Sequence, residues 1–589
     1  MADVDLEGGR EKGYSSPSVA SGAHHGYGET EVKSGTKWEN FRDSFKRNPN
    51  ARVVTEALDD EGRPLPEQPP AEPALSMKLK DRHLQMIAIG GSIGTGLFVG
   101  SGSALSAGGP ASLILAYGLI GMMLFCTIQA LGELAVAFPV AGSFAVYASR
   151  FLDPAWGFAM AWNYALSWLV TLPLEIVAAS ITLQFWSGAR ETNAAAWVTI
   201  FLFVIISINL FGVKGYGEAE FVFSIIKVTA IIGFIILGII IDTGGVPGGN
   251  GYMGAKYWYN PGAFNNGFKG LCSVFVTAAF SFQGTELVGL CAAETENPRK
   301  TLPKAVKQVF WRITLFYMVS LTIVGCLVPY NDEKLLGAST DANASPFVIA
   351  VRNAGINVVP SIMNVVILIA VLSVGNSSIY GASRTIAALA DRGQAPKIFG
   401  YIDRSGRPLV AILFSSAFGF ISYIVAAGSD TSDKAFAWMM AISGLSAIFN
   451  WGSICLCHIR FRQAWAHRGH TLDELAFKSQ ATVYGSWAGL IFNGLVLVAQ
   501  FWTGFAPVGY AEMTTSELVE NWFKAYLAAP IVIACYLIFK FVKKTHFKRI
   551  DEIDVTSGRR EMNLPALLAE ERAEQAQWPR WKKVWNILC

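Results

Sequence analysis

The chain has 589 residues, 52% of them hydrophobic and only 15% charged, with a mean hydropathy of +0.38 and a formal net charge of +3. A soluble chain of this length carries about a quarter charged residues; the deficit here is concentrated between residues 83 and 543, which excludes an ordinary soluble globular protein. The basic residues lie between apolar runs and form no face for nucleic acid, and the eight cysteines form neither a disulfide scaffold nor a paired metal motif.

Residues 1–80 read as a disordered tail. They hold few large apolar residues, a proline-rich stretch from Pro64 to Pro73, and no helical or strand period. Residues 1–50 also lack the apolar core of a signal peptide. Apolar runs long enough to cross a ~30 Å hydrocarbon layer then follow one another. They fall at 84–106, 111–138, 156–187, 195–213, 220–241, 270–292, 308–329, 358–390, 408–427, 434–459, 483–504 and 521–542. The expectation is an all-α membrane protein with twelve transmembrane helices over residues 81–543. A charged C-terminal tail occupies 544–589, with an amphipathic helical pattern from Leu564 to Gln577.

Orientation follows from the Lys and Arg residues of the short connections. Arg299, Lys300, Lys304 and Lys307 follow the sixth run, and Arg392, Lys397, Arg404 and Arg407 follow the eighth. Arg460, Arg462, Arg468 and Lys478 follow the tenth, and Lys543, Lys544, Lys548 and Arg549 follow the last. The connection at 505–520 has neither Lys nor Arg. Basic connections after even-numbered spans place both termini in the cytoplasm.

Two runs are ill-suited to unbroken helices. The first contains Gly90-Gly91-Ser92-Ile93-Gly94-Thr95-Gly96, and each glycine inside a helix costs roughly 1 kcal/mol against alanine. Close helix packing through small residues is one reading. Departure from helix is the other, tolerated in lipid only where the freed backbone groups face protein, water or ligand. The sixth run is broken by Phe280-Ser281-Phe282-Gln283-Gly284-Thr285-Glu286. First and sixth are corresponding positions if ten spans form a 5+5 inverted-repeat transporter core, with discontinuous first and sixth helices plus two additional helices. Such paired breaks suit an amino-acid zwitterion. The N–H groups of Ile93, Gly94, Thr95 and Gly96 would hold a carboxylate, and the carbonyls of Phe280, Ser281 and Phe282 an ammonium. Gln283 would either meet the substrate side chain or only satisfy backbone groups freed by the break.

The stretch from His83 to Leu97, together with Ala130-Leu131-Gly132-Glu133-Leu134-Ala135 and Phe211-Gly212-Val213-Lys214-Gly215-Tyr216-Gly217-Glu218, resembles the fungal general amino-acid permeases of the amino acid–polyamine–organocation superfamily. The sixth-run motif, Asn297-Pro298-Arg299-Lys300 and Cys457-His458-Ile459-Arg460-Phe461-Arg462 are similar as well. The resemblance runs from residue 80 nearly to the C-terminus. It implies proton-driven uptake of amino acids across the plasma membrane by alternating access, without a cofactor and without enzymatic activity.

Ionisable residues inside a span are functional candidates by default. Lys227 lies among Ile225, Ile226 and Val228. The resemblance implies that it bridges the first and eighth helices where sodium-driven relatives bind a cation; snorkelling from a helix end is the alternative. Glu286 either carries the symported proton or anchors the half-helix by accepting hydrogen bonds. Glu175, beside Pro173, accepts the proton, meets a cationic substrate group, or is a buried carboxyl paired with a hydroxyl. Glu133 reads as structural. No metal cluster or nucleophile–base pair competes, and the glycine-rich stretch lacks the Lys-Ser/Thr ending of a phosphate loop.

In the tails, Asp551-Glu552-Ile553-Asp554 resembles the family's acidic signal for leaving the endoplasmic reticulum, although a short acidic run is usually solvated surface. Lys33, Lys37 and Lys46 are candidate sites for the ubiquitin ligase machinery that the family's endocytosis requires. Cys589 is a weaker candidate for palmitoylation, because Ile587-Leu588 replaces the usual aromatic pair. Two other functions remain in view: a permease narrowed to proline, basic amino acids or a polyamine, and a transporter-like nutrient sensor. The sensors have much longer N-terminal tails.

Overall fold

The computed structural model describes residues 36–49, 75–76, 78–91, 93–247, 251–295, 297–336, 345–557, 559 and 577–579. Lys33, Cys589 and nearly all of the amphipathic pattern at 564–577 lie outside the described residues. The chain divides into two units, Met1–Lys46 and Arg47–Cys589.

The described part of the first unit holds one helix, α1 (Lys37–Ser44), where no helical period was expected. Its cause is local: Thr36 and Glu39 form a reciprocal capping box, with Glu39 N–H donating to Thr36 Oγ1 at 3.2 Å and Thr36 N–H to Glu39 Oε2 at 2.8 Å. Lys37 opens this helix, and Lys46 follows it, exposed and paired with Asp43 at 2.6 Å.

In the second unit the helices are α2 (Asp81–Gly90), α3 (Gly96–Ala137), α4 (Ser143–Phe151), α5 (Pro154–Leu183), α6 (Ala194–Leu210), α7 (Gly212–Asp242), α8 (Gly267–Phe282), α9 (Leu287–Cys291) and α10 (Pro298–Leu327). After them come α11 (Pro346–Asn353), α12 (Val359–Asp391), α13 (Leu409–Ala427), α14 (Ser429–His467), α15 (Thr482–Phe505), α16 (Thr515–Tyr526) and α17 (Ala528–Lys543). Among the described residues nine helices are long and apolar enough to cross a membrane, ten if the pair α16–α17, bent by 59°, counts as one span. Helix α6, with 17 residues, is apolar but shorter.

Several boundaries follow from simple chemistry. Asp153 caps α5 through Ala155 N–H at 2.9 Å, with Pro154 at the first position, where its missing N–H costs nothing. Asn297-Pro298 opens α10 in the same way. Helix α3 is not straight: Gly109 has φ +79°, next to Pro110. The carbonyl and amide freed there are taken up by the segment before α8, with Asn265 N–H donating to Gly108 O at 2.8 Å and Ala111 N–H to Ala263 O at 2.9 Å.

Helices α5, α8, α12 and α14 form the buried interior, with α5 and α12 packed along each other, while α7 and α15 keep apolar faces outward. The segment after α17 is no free tail. Lys548 N–H donates to Leu152 O at 2.8 Å, Arg468 Nη2 donates to Ile553 O at 2.8 Å, and Ile553 and Val555 are buried. Half of the acidic run is therefore docked on the bundle rather than solvated.

Candidate functional site

Both interrupted runs are interrupted in the structure. Between Gly90, the last residue of α2, and Thr95 the backbone leaves the helix. In the sixth run α8 ends at Phe282, Gln283 is extended (φ −57°, ψ 144°), and Gly284 takes φ +96°, a region open to glycine and costly to other residues. Glu286 then leads into α9.

The two breaks touch. Tyr117 Oη lies 2.8 Å from Ser281 Oγ and donates to Gly96 O at 3.3 Å, bridging them. Between the breaks, α5 and α12 is a cavity of about 10 Å³ lined by Gly94, Thr95, Gly96, Trp168, Thr171, Glu175, Phe280, Gln283 and Val374. That is room for about one water, far below the ~300 Å³ and more of a usual ligand site. Loading of any organic substrate therefore requires these side chains to withdraw. Trp168, Thr171 and Glu175 share one face of α5, at the i, i+3, i+7 spacing of a helix.

The polar atoms here are unevenly matched. Thr95 Oγ1 donates to Glu175 Oε2 at 2.5 Å, but Glu175 Oε1 has no hydrogen-bond partner among the described residues. Gln283 Nε2 donates to Ser167 Oγ at 2.6 Å, while Gln283 Oε1 and Trp168 Nε1 also lack partners. Two buried acceptors and a buried donor thus belong to the residues around one small space. A ligand carrying both an ammonium and a carboxylate matches that set, and leaving such atoms unmet costs about 1–3 kcal/mol each.

Of the residues expected at the site, Gly94, Thr95, Gly96, Phe280 and Gln283 line the cavity. Ile93 is in the core, Ser281 Oγ is bound to Tyr117 and to Thr277 O, and the Phe282 ring packs on Tyr317 at 4.2 Å between centroids. The carbonyls of the second break already have donors. Phe280 O accepts Gln283 N–H, Ser281 O accepts Tyr317 Oη at 2.7 Å, and Phe282 O accepts Thr285 Oγ1 at 2.6 Å. An ammonium would have to share or displace them.

Glu286 lies outside the cavity lining. Its Oε1 accepts Gly284 N–H at 3.1 Å and its Oε2 accepts Trp451 Nε1 at 3.3 Å, so both oxygens brace the break. Glu133 accepts Arg462 at 2.5 and 2.7 Å and Ser479 N–H at 2.7 Å. Lys227 Nζ lies 2.6 Å from Gly90 O at the end of α2 and 2.8 Å from Ser373 Oγ on α12.

Two further buried charges hold the breaks. Arg312 on α10 donates to Ala88 O at 2.5 Å and to Thr285 Oγ1, linking the first break to the second. Glu220 on α7 lies 3.3 Å from Lys227 Nζ. The rule that picks out Lys227, a charge within an apolar run, applies equally to Arg312 inside 308–329. Glu220, at the edge of its run, is betrayed by spacing: seven residues before Lys227 is two turns, on the same face.

A family model described as amino acid permease matches residues 83–552. The chain is 53% identical over 570 residues to the general amino-acid permease GAP1 of Saccharomyces cerevisiae, covering 95% of this chain and 93% of that one. It is 58% identical over 526 residues to the general amino-acid permease GAP2 of Candida albicans, with 88% of each chain covered. It is 49% identical over 522 residues to the cationic amino acid transporter 1 of Schizosaccharomyces pombe, with 88% and 87% covered. The chain belongs to the amino acid permease family.

Proposed function

We propose that the protein is an amino-acid/proton symporter that takes up a broad range of L-amino acids across the plasma membrane by alternating access. Twelve spans cross the membrane in this reading: α2 with the start of α3 as the first, the rest of α3 beyond Gly109 as the second, α6 as the fourth, α8–α9 as the sixth and α16–α17 as the twelfth. Spans one to five and six to ten are the two inverted repeats, and both tails are cytoplasmic, flanking a transporter domain at 81–543.

The observation that carries this reading is the cavity at the paired breaks, where Glu175 Oε1, Gln283 Oε1 and Trp168 Nε1 are buried without partners. They complement a zwitterion. Relatives at 53% and 58% identity named general amino-acid permeases support the breadth. Uptake of a panel of radiolabelled amino acids by a permease-deficient yeast expressing the chain, at several external pH values, tests it. Many amino acids accumulated more strongly at acidic pH is the expected result.

The narrower reading, a permease for basic amino acids, is favoured by Glu175, a carboxylate with a free oxygen at the cavity, and by the relative named a cationic amino acid transporter. Uptake confined to arginine and lysine in the same panel would establish it. Signalling with no uptake at all would point to a sensor.

A further inference from the structure

Lys227 has a partner that the substrate cavity does not explain. Glu220 and Lys227, both on α7, are wholly buried, with Lys227 Nζ 3.3 Å from Glu220 Oε1. Ser373 on α12 lies closer to each of them. Its Oγ is 2.8 Å from Lys227 Nζ, and 2.8 and 2.7 Å from the two carboxylate oxygens of Glu220. The hydroxyl thus accepts from the lysine while donating to the glutamate, in a continuous chain of short hydrogen bonds. Burying an ion pair in an apolar bundle gains little stability over an apolar replacement, so a paired acid and base at this depth mark a function.

Resting on the proton-symport reading above, we propose that Glu220 is the acceptor of the symported proton, which it receives from Lys227 through the Ser373 hydroxyl. In the transfer Lys227 gives one ammonium proton to Ser373 Oγ as Ser373 gives its hydroxyl proton to a Glu220 oxygen. The ammonium becomes an amine, the carboxylate a carboxylic acid, and the serine is unchanged. Glu220 then releases the proton at the end of the bundle where α7 begins, and Lys227 is recharged by the proton that enters with the substrate.

The surroundings fit a gated release. One turn before Glu220 on α7, Tyr216 stacks on Tyr380 of α12 with ring centroids 4.2 Å apart and planes within 5°, and Tyr216 Oη lies 3.1 Å from Ser377 Oγ. The stack lies one turn from Glu220 towards the start of α7, so parting α7 from α12 there would open a way to the acid. The other titratable groups around the relay are Cys291 at the end of α9, Glu294 just after it and Arg384 on α12, the last two paired with each other at 3.4 Å, on the side of Glu220 and Tyr216, with Glu175 on α5 and Arg312 on α10 on the side of Lys227. Loss of a proton from Lys227 also weakens its hold on Gly90 O, which links the relay to the first break.

The test uses the purified full chain in proteoliposomes with a pH-sensitive dye inside. A carbon-14-labelled mixture of L-amino acids is the probe, and acidification per substrate entering is compared with counterflow at equal pH. In Ser373→Ala, acidification falls at least tenfold relative to counterflow, and Ser373→Thr, which keeps the hydroxyl, restores it. Glu220→Gln abolishes acidification while counterflow survives at a reduced rate. Should the Gln variant fail to fold, the Ser373 pair decides alone. The relay is overturned if Ser373→Ala acidifies per substrate as the unmodified protein does, or if acidification and counterflow fall by the same factor. Absence of acidification in the unmodified protein would instead overturn the symport reading, and the relay with it.

Discussion

Thr95 Oγ1 donates to Glu175 Oε2 across 2.5 Å, tying the unwound stretch before α3 to the middle of α5. Both side chains are buried, so the bond is not replaced by water when it is lost. Thr95→Val keeps the shape and removes the donor, leaving a second oxygen of Glu175 unpaired at a cost of about 1–3 kcal/mol. The expected result is uptake reduced by one to two orders of magnitude, with Thr95→Ser close to unmodified. Uptake rates normalised to surface amount measure it; equal rates for Val and Ser would mean that the bond does not matter to transport.

The tight approach of the two breaks distinguishes two glycines. A Cβ at Gly94 would sit 2.5 Å from Val374 Cγ2, a side-chain atom, whereas one at Gly96 would run into the Ser281 backbone. Overpacking a side chain costs about 1–3 kcal/mol and can be relieved. Gly94→Ala should therefore lower uptake roughly tenfold, and Val374→Ala in the same chain should recover part of it. Gly96→Ala should lower thermal stability and surface amount, with no rescue by Val374→Ala. Rescue of both, or of neither, would contradict this division of roles.

How much of this was legible in the residues depends on the kind of signal. The apolar runs and the two breaks are composition and glycine placement, which survive without any knowledge of the partners in space, whereas the continuity of α3 through its kink at Gly109 joins two runs that read as separate. The capping box at Thr36 and Glu39 is a three-residue spacing, visible in principle and obscured by its polar surroundings. Ser281 and Phe282 turning away from the cavity was not legible, because which way a residue points at a helix end depends on the φ of Gly284 and on Tyr117 and Tyr317 from other helices. Arg312 reaching Ala88 O and Ser373 joining Lys227 to Glu220 are meetings between segments far apart in the chain, 224 and 146–153 residues, and no local period reports them.

The docked C-terminal segment gives a prediction outside the membrane. Asp554 lies 3.2 Å from Arg150 Nη2, and Arg150 also donates to Ser557 O at 2.6 Å. Burial would raise the Asp554 carboxyl, but the hydrogen bond with Ser557 and the charge of Arg150 outweigh it and hold the group below the usual carboxylate range. A lowered carboxyl stabilises docking at all pH above its ordinary value near 4, and the contribution is lost only as pH falls further. Docking should therefore be the same from pH 5 to 8. Asp554→Asn and Arg150→Ala should each speed tryptic cleavage at Lys548 and Arg549 by several-fold; unchanged cleavage would show that the burial of Ile553 and Val555 holds the segment alone.

The sequence allows Glu286 two roles, proton carrier or anchor of the half-helix, and its hydrogen bonds favour the anchor. Each oxygen accepts one N–H, from Gly284 and from Trp451. In Glu286→Gln one of those donors faces an amide NH2, so the break should lose about 1–3 kcal/mol of support. The expected outcome is a lower melting temperature and less protein at the surface, with acidification per substrate retained in proteoliposomes. A stable variant that still exchanges amino acids but no longer responds to a pH gradient would make Glu286 the proton carrier instead.

Gln283 stands where specificity and architecture meet. Its Nε2 is committed to Ser167 Oγ at 2.6 Å on α5, while Oε1 is buried, unpartnered and part of the cavity lining residue. The first contact fixes the extended turn after α8 and the second leaves an acceptor for a substrate donor. Gln283→Ala removes both, and Ser167→Ala removes the first alone, so the pair separates the two roles. If Oε1 reads the side chain, Gln283→Ala should weaken serine, asparagine and glutamine against leucine and phenylalanine. The loss of one neutral hydrogen bond, about 0.5–1.5 kcal/mol, sets the shift at a few-fold up to about tenfold. Ser167→Ala should then lower all five affinities together. Competition of each amino acid against one labelled substrate measures the ratios, and a uniform loss in Gln283→Ala would assign the residue to supporting the break.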